Sequence, residues 1–398
     1  MTGENQNAVA RRRHTLTACC VTHCLQDGLT AVLFVLLPII AQVFGLNYTQ
    51  VGILRGVSAT GMSLVELPSG ILSERYGERR LITFGLLATG AGYLLLEHAY
   101  GLWSLAILLF VIGVGGGFQH TLCSTLVMRA YHQKGGRGAL GTYNAFGDIG
   151  KLIFSGILGL TIGAGIAWQQ VTTTFGLITI VLGIGIFLIL LRTRFGGVQS
   201  ERTPSVNYSV GRRWGIKNKT GFIGVLSISF LDGMVQAGFL TFVAFLMLEK
   251  SVSSFLASFA IVLTLAGGVI GKYFCGHLAD RLGAFQALML TQGLNVVAII
   301  AVIISPTVVS FVLLVFLGIF LQGSSSIYYA HVGDVFTKER QGRGFGLVYS
   351  NANFAAVIGP IVFGVVADSS NLTVAILAMA LCILVTIPLC YLLKHKKV

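Results

Sequence analysis

The sequence duplicates itself at a displacement of 206 residues, and each copy is a run of long apolar segments. Gly70, Arg75 and Gly77 recur as Gly276, Arg281 and Gly283, and Arg137 recurs as Arg343. Glu66 falls on Lys272, and Asp27 lies 205 residues before Asp232. Such a displacement predicts two half-molecules of like topology joined by one connection, an arrangement common among membrane proteins that move solutes.

Composition places those halves in a bilayer. The 398 residues are 55% hydrophobic and only 10% charged, with a mean hydropathy of +0.83, whereas soluble chains carry roughly a quarter charged residues. A helix needs about 20 residues to cross the hydrocarbon. Segments of that kind run at 16–44, 50–73, 81–97, 102–129, 139–164, 171–192, 220–248, 253–276, 286–304, 308–330, 344–367 and 372–393. The expected fold is an all-α integral membrane protein with twelve transmembrane helices in two pseudo-symmetric halves, 1–192 and 220–398. A polar, basic linker, 193–219, joins them.

The net charge of +13 reflects topology rather than a nucleic-acid partner, because the basic residues sit in short connections between spans. Of 27 Lys and Arg, Lys250 falls on one side and Arg55, Lys151 and Lys272 within spans, leaving 23 on the other. That side is expected to be cytoplasmic and to carry both termini, with the first span retained rather than cleaved. The sequons at Asn47 and Asn371 hug span ends and read as chance matches. The seven cysteines lie in or beside apolar segments without metal-ligand spacing, so they read as structural thiols. No metal and no cofactor are expected.

Between the second and third spans the chain reads Gly70-Ile-Leu-Ser-Glu74-Arg75-Tyr-Gly77-Glu-Arg79-Arg; between the eighth and ninth, Gly276-His-Leu-Ala-Asp280-Arg281-Leu-Gly283. Both resemble the loop signature of the major facilitator superfamily. The resemblance implies a gate motif in which the acid pairs with Arg or faces a helix N-terminus. His23-Cys-Leu-Gln-Asp27 in the first span, and Gly113-Val-Gly115 followed by His120 in the fourth, resemble the fosmidomycin-resistance group of that superfamily. Thr121 and Leu122 stand where that group would carry Pro and an acid.

A charge at the bilayer centre costs roughly 2.5–3.5 kcal/mol even on lenient scales, so each needs a reason. Asp27, Arg55, Glu66, Asp148, Lys151, Asp232 and Lys272 all lie within spans. Asn144, Asp148, Lys151 and Ser155 form one stripe on the fifth span, in which Asp148 and Lys151 are spaced to pair. That pair either serves the solute or locks the helix to its neighbours. The resemblance implies that the fifth and eighth spans meet, which would bring Lys272 into the same cluster. An intramembrane acid stripped of water can carry protons. Asp27 with His23, Asp232 with Gln236 one turn on, and Glu66 are the candidates, against the reading that the aspartates only tie down their own helices. Gln119 and His120 add a smaller polar face, and Arg55 either attracts an anion or snorkels outward.

The function expected is a secondary active transporter that works as a monomer. It would use protons to export a small organic solute or antibiotic, anionic or amphipathic, by alternating access. Proton-linked uptake of an organic anion is the alternative, and a membrane receptor or sensor the reading from another class. No Walker loop and no clustered catalytic constellation are found, so no enzyme activity is expected.

Overall fold

The computed structural model describes residues 3–131, 136–198, 215–337 and 341–393. Thirteen α-helices are formed among them, and no strand beyond one isolated bridge, Ile216 with Phe336. In chain order they are α1 (Gly3–Phe44), α2 (Tyr48–Tyr76), α3 (Glu78–Leu95), α4 (Leu102–Gly117), α5 (His120–Ala130), α6 (Gly136–Gly163), α7 (Trp168–Thr193), α8 (Lys219–Glu249), α9 (Ser254–Leu282), α10 (Ala284–Ile304), α11 (Thr307–Val335), α12 (Gln341–Ser369) and α13 (Leu372–Leu389). Helices result because hydrocarbon offers backbone amides no partner outside their own segment. The fourth span is two pieces, α4 and α5, broken after the glycine run Gly115–Gly117. Most of the linker, 199–214, and the side chains of Arg137 and Arg343 lie outside the described residues.

Contacts group the chain into two compact units, Met1–Leu36 with Val57–Asn207, and Leu37–Gly56 with Tyr208–Val398. The first is cored by residues such as Leu25, Leu86, Leu126, Tyr143 and Leu190, the second by Ile228, Leu288, Ile327, Val332 and Phe336. Leu177, Val181, Ile184 and Leu188 on α7 are instead exposed, as are Val297 and Ile304 on α10. Apolar surface on that scale belongs against acyl chains.

The repeat is visible in the backbone. Gly77 ends α2 at φ 77 and Gly283, 206 residues on, ends α9 at φ 78, a left-handed conformation that glycine adopts without a Cβ clash. The turn between α1 and α2 packs inside the second unit. There the Asp368 carboxylate accepts from the Tyr48 and Thr49 amides at 3.0 and 2.7 Å, and Tyr48 donates its hydroxyl to Glu249 at 3.0 Å.

Both sequon asparagines act as caps. Asn47 Oδ1 accepts from the Gln50 amide and Asn371 Oδ1 from the Val374 amide, satisfying donors that a helix start leaves open. Lys250 also has a structural place. Its Nζ donates to the Ile303 and Ser305 carbonyls at 2.9 and 2.6 Å, closing the end of α10, and burial pushes its pKa down.

Candidate functional site

In the first unit α1 and α6 approach closely because glycines line their seam. A Cβ on Gly150 would strike the Cys24 carbonyl, one on Gly147 the His23 ring, and one on Gly28 the Phe154 ring. That approach sets Asp27 of α1 against Lys151 of α6. Lys151 Nζ lies 3.0 Å from Asp27 Oδ2 and 3.1 Å from Asp148 Oδ1, so one ammonium bridges two carboxylates. His23 Nε2 stands 3.3 Å from Asp27 Oδ2, and His120 Nε2 of α5 stands 3.5 Å from Asp27 Oδ1.

The His23 tautomer follows from its other contact. Its Nδ1 lies 2.9 Å from the Tyr143 carbonyl, which only accepts, so Nδ1 carries hydrogen. In a neutral ring Nε2 would then turn a lone pair toward Asp27. The pair is satisfied only when a further proton sits on His23 or on Asp27. With that proton the cluster is electrically balanced, two carboxylates against one ammonium and one imidazolium. Tyr143 stacks on His23 with ring centroids 4.2 Å apart, and Gln119 Nε2 donates to its hydroxyl at 2.6 Å.

The structure thus brings together His23, Asp27, Gln119, His120, Asp148 and Lys151. Asn144 lies on α6 but is exposed, while Ser155 is buried. Glu66 is half-buried on α2, in the first unit. Arg55, Asp232, Gln236 and Lys272 belong to the second unit. Tyr143 and the seam glycines escaped the sequence reading, which followed polar residues. Their signal is the spacing Tyr143, Gly147, Lys151, one turn apart on one face.

The repeat register needs correction at Asp232. The 205-residue match to Asp27 breaks the 206 kept by the loop glycines, and at 206 the counterpart of Asp232 is Gln26. Contacts agree. Gln26 points to Thr89 on α3 (3.1 Å) and the Gly115 carbonyl on α4 (3.4 Å). Asp232 accepts from Gln292 Nε2 on α10 (3.0 Å) and lies 2.9 Å from Ser324 Oγ on α11 through both oxygens. Gln236, one turn on, donates to the Leu321 carbonyl at 3.2 Å rather than to Asp232.

Of the two arrangements expected for the gate motif, the pairing of its acid with Arg is not formed among the described residues. Glu74, Arg75, Asp280 and Arg281 are exposed, and among the described residues neither motif acid forms an ion pair. The pair is made instead by Glu78, at the start of α3 and 2% exposed, with Arg129 of α5 at 2.6 Å. Arg79 lies over the Phe187 ring, and its amide donates to the Gly196 carbonyl beside Gly77. Gly70 and Gly276 lie within α2 and α9, near their ends.

Ligand atoms of His23, Asp27 and His120 lie within 4.8 Å of one another, near enough to hold a metal ion. The Lys151 ammonium already occupies the place beside Asp27 that a cation would take, so this donor set fits a proton better than a metal.

The family model of the Major Facilitator Superfamily matches residues 19–226 and 225–398. The chain is 24% identical to the hexuronate transporter of Bacillus subtilis over 359 residues, covering 84% of this chain and 83% of that protein. It is 23% identical to the 4-hydroxybenzoate transporter PcaK of Acinetobacter baylyi, covering 89% and 85%. A crystal structure of a bacterial homologue of the human lysosomal transporter Spinster superposes with a TM-score of 0.80 at 15% identity, covering 96% of this chain and 97% of that one.

Proposed function

Because the chain belongs to the Major Facilitator Superfamily, whose members are integral membrane transporters, we propose that it couples protons to the uptake of a small organic anion by alternating access. The observation that carries this reading is the single ammonium, Lys151, held by two carboxylates beside a His23–Asp27 pair that needs an added proton. When that proton passes from His23 to Asp27 it cancels the carboxylate's charge and releases half of the hold on Lys151. The freed ammonium then takes the carboxylate of the solute, and loss of the proton on the far side lets Asp27 reclaim Lys151 and expel the anion. Gln119, His120 and Asn144 lie on or beside this cluster and contact the solute. Arg55, Gln236 and Lys272 are assigned the same role in the second unit. Two relatives named for hexuronate and 4-hydroxybenzoate, both carboxylates, support the substrate class. Both termini lie in the cytoplasm and the monomer is the working unit.

One proton moving with one monoanion is electroneutral, so the pH gradient alone drives that step. Each pH unit is worth about 1.4 kcal/mol, about a tenfold accumulation. The test is uptake of labelled 4-hydroxybenzoate and glucuronate into proteoliposomes whose lumen is made alkaline. Accumulation that a protonophore abolishes is expected, with Asp27→Asn retaining exchange but losing accumulation. Uphill uptake by Asp27→Asn overturns the assignment. Export driven by an opposite proton flux is the second reading, favoured by the likeness of His23, Asp27 and Gly113–His120 to the fosmidomycin-resistance group. Accumulation only when the lumen is acidic selects it.

A further inference from the structure

Asp232 poses a problem that the cluster around Asp27 does not solve. It sits mid-way along α8 and is 1% exposed. No Lys, Arg or His pairs with it among the described residues. An uncompensated carboxylate at that depth is costly. Its partners are the neutral side chains of Gln292 and Ser324, and the titratable groups near enough to feel its charge are Tyr328 of α11 and Cys390 just past α13. Neither supplies a positive charge.

Ser324 shows how the site is completed. Its hydroxyl has one hydrogen but three acceptors in reach: both Asp232 oxygens at 2.9 Å and the Leu321 carbonyl at 3.2 Å. If Asp232 is an acid, its O–H donates to Ser324 Oγ, Ser324 donates to Leu321, and Gln292 Nε2 donates to the remaining Asp232 oxygen. Three of the four contacts are then hydrogen bonds, and each carboxyl oxygen has a partner. In the first unit the same repeat position is Gln26, and the position of Asn295 is Thr89, so an uncharged polar group is what this node accommodates. A carboxylic acid differs from Gln in being able to give up a proton. Gln292 Oε1 is buried without a hydrogen-bond partner, as are both polar atoms of Asn295 about one turn further along α10.

We infer that Asp232, with Ser324 and Gln292, holds a second transported proton in the second unit, apart from the cluster that handles the solute. The inference rests on the uptake reading above and deepens it. Two protons per monoanion carry one net positive charge inward, so uptake responds to membrane potential as well as to the pH gradient. The O–H bond forms at Asp232 with a proton taken from one side and breaks with release to the other; no other reactant is required.

The test uses the full chain. Infrared spectra of purified protein should contain the C=O stretch of a buried neutral carboxylic acid, and Asp232→Asn should remove it. Because Asp232→Asn could fail to fold, the double variant Asp232→Gln with Asn295→Thr places at the matching positions the neutral Gln–Thr pair that the first unit carries. In proteoliposomes at equal pH, an inside-negative potential should accumulate labelled 4-hydroxybenzoate about tenfold per 59 mV with the native chain and not at all with the double variant, which should still answer to a pH gradient. An acid band unchanged in both variants overturns the proposal. So does native uptake that ignores potential, or a sodium-dependent shift of a carboxylate band that the variants remove. If no organic anion moves at all, the uptake reading fails, while the infrared band still decides whether Asp232 carries a proton.

Discussion

Asp27 and Asp232 sit one residue out of register on the first helix of each repeat, and that one step gives them opposite surroundings. Asp27 faces α6 across a glycine seam and meets an ammonium and two imidazoles. Asp232 faces α10 and α11 and, among the described residues, hydrogen-bonds with an amide and a hydroxyl. Consecutive residues on a helix point about 100° apart, so a single-residue offset moves a carboxylate from one helix interface to another. Duplication has therefore conserved the scaffold while separating the chemistry. One carboxylate is held by charge, the other by neutral donors.

The largest effect that would break this contrast is expected at Lys151. Lys151→Met leaves Asp27 and Asp148 beside one another with no ammonium, and removing one partner of a buried pair strands the other. Uptake of 4-hydroxybenzoate into proteoliposomes should fall roughly 100-fold or more, with the purified protein still folded. Near-native uptake by this variant would remove the charged cluster from the mechanism.

A second variant exports the chemistry of one node to the other. Gln26→Asp places a carboxyl where the first unit keeps an amide, next to Asp27 in sequence and against Thr89. A new buried charge without a cation should lower stability by roughly 2–3 kcal/mol, read as a drop in the melting temperature of the detergent-solubilised protein that lessens at acidic pH, where protonation relieves the charge. A melting temperature that does not move would show that this node tolerates charge, and would weaken the argument that Asp232 must be neutral.

The seam itself comes next. Gly150→Ala puts a methyl against the Cys24 carbonyl, and overpacking costs about 1–3 kcal/mol. Because the methyl pushes α1 away from α6, the Lys151–Asp27 contact should loosen, so half-maximal uptake should need more solute. Half-buried Gly156 on the same helix has open space around a Cβ, and Gly156→Ala should leave both readouts unchanged.

Much of the architecture was legible because the hydrocarbon imposes it. Segment lengths alone place α1 through α13 to within a few residues for most ends, although α1 begins well before residue 16 and the fourth span breaks into α4 and α5. Spacing along one helix was legible too: Asp148 and Lys151 pair as i, i+3 neighbours. What sequence could not supply was which face of a helix meets which neighbour. Asp27 and Asp232 look equivalent when matched by residue type, and only the 206 register of Gly77 and Gly283 separates them. Tyr143 was invisible for a related reason, since an aromatic residue in an apolar span carries no sign of the histidine it will stack on.

The smallest predicted difference lies in the two loop motifs, which look alike in sequence and are built differently. In the first copy Glu78 starts α3, where the helix dipole favours an acid, and it pairs with Arg129 at 2.6 Å. Arg129 is 40% exposed, so solvent screens the pair and its worth is about 1 kcal/mol. In the second copy Ala284 stands at the position of Glu78, and Asp280 is exposed without an ion pair among the described residues. Glu78→Gln should therefore lower the melting temperature by a few degrees at low salt and by less at high salt, as the ions screen what remains. Asp280→Asn should stay within about 0.5 kcal/mol of the native protein. Equal shifts in both variants would mean that the motif acid, not the residue that opens the following helix, anchors these loops.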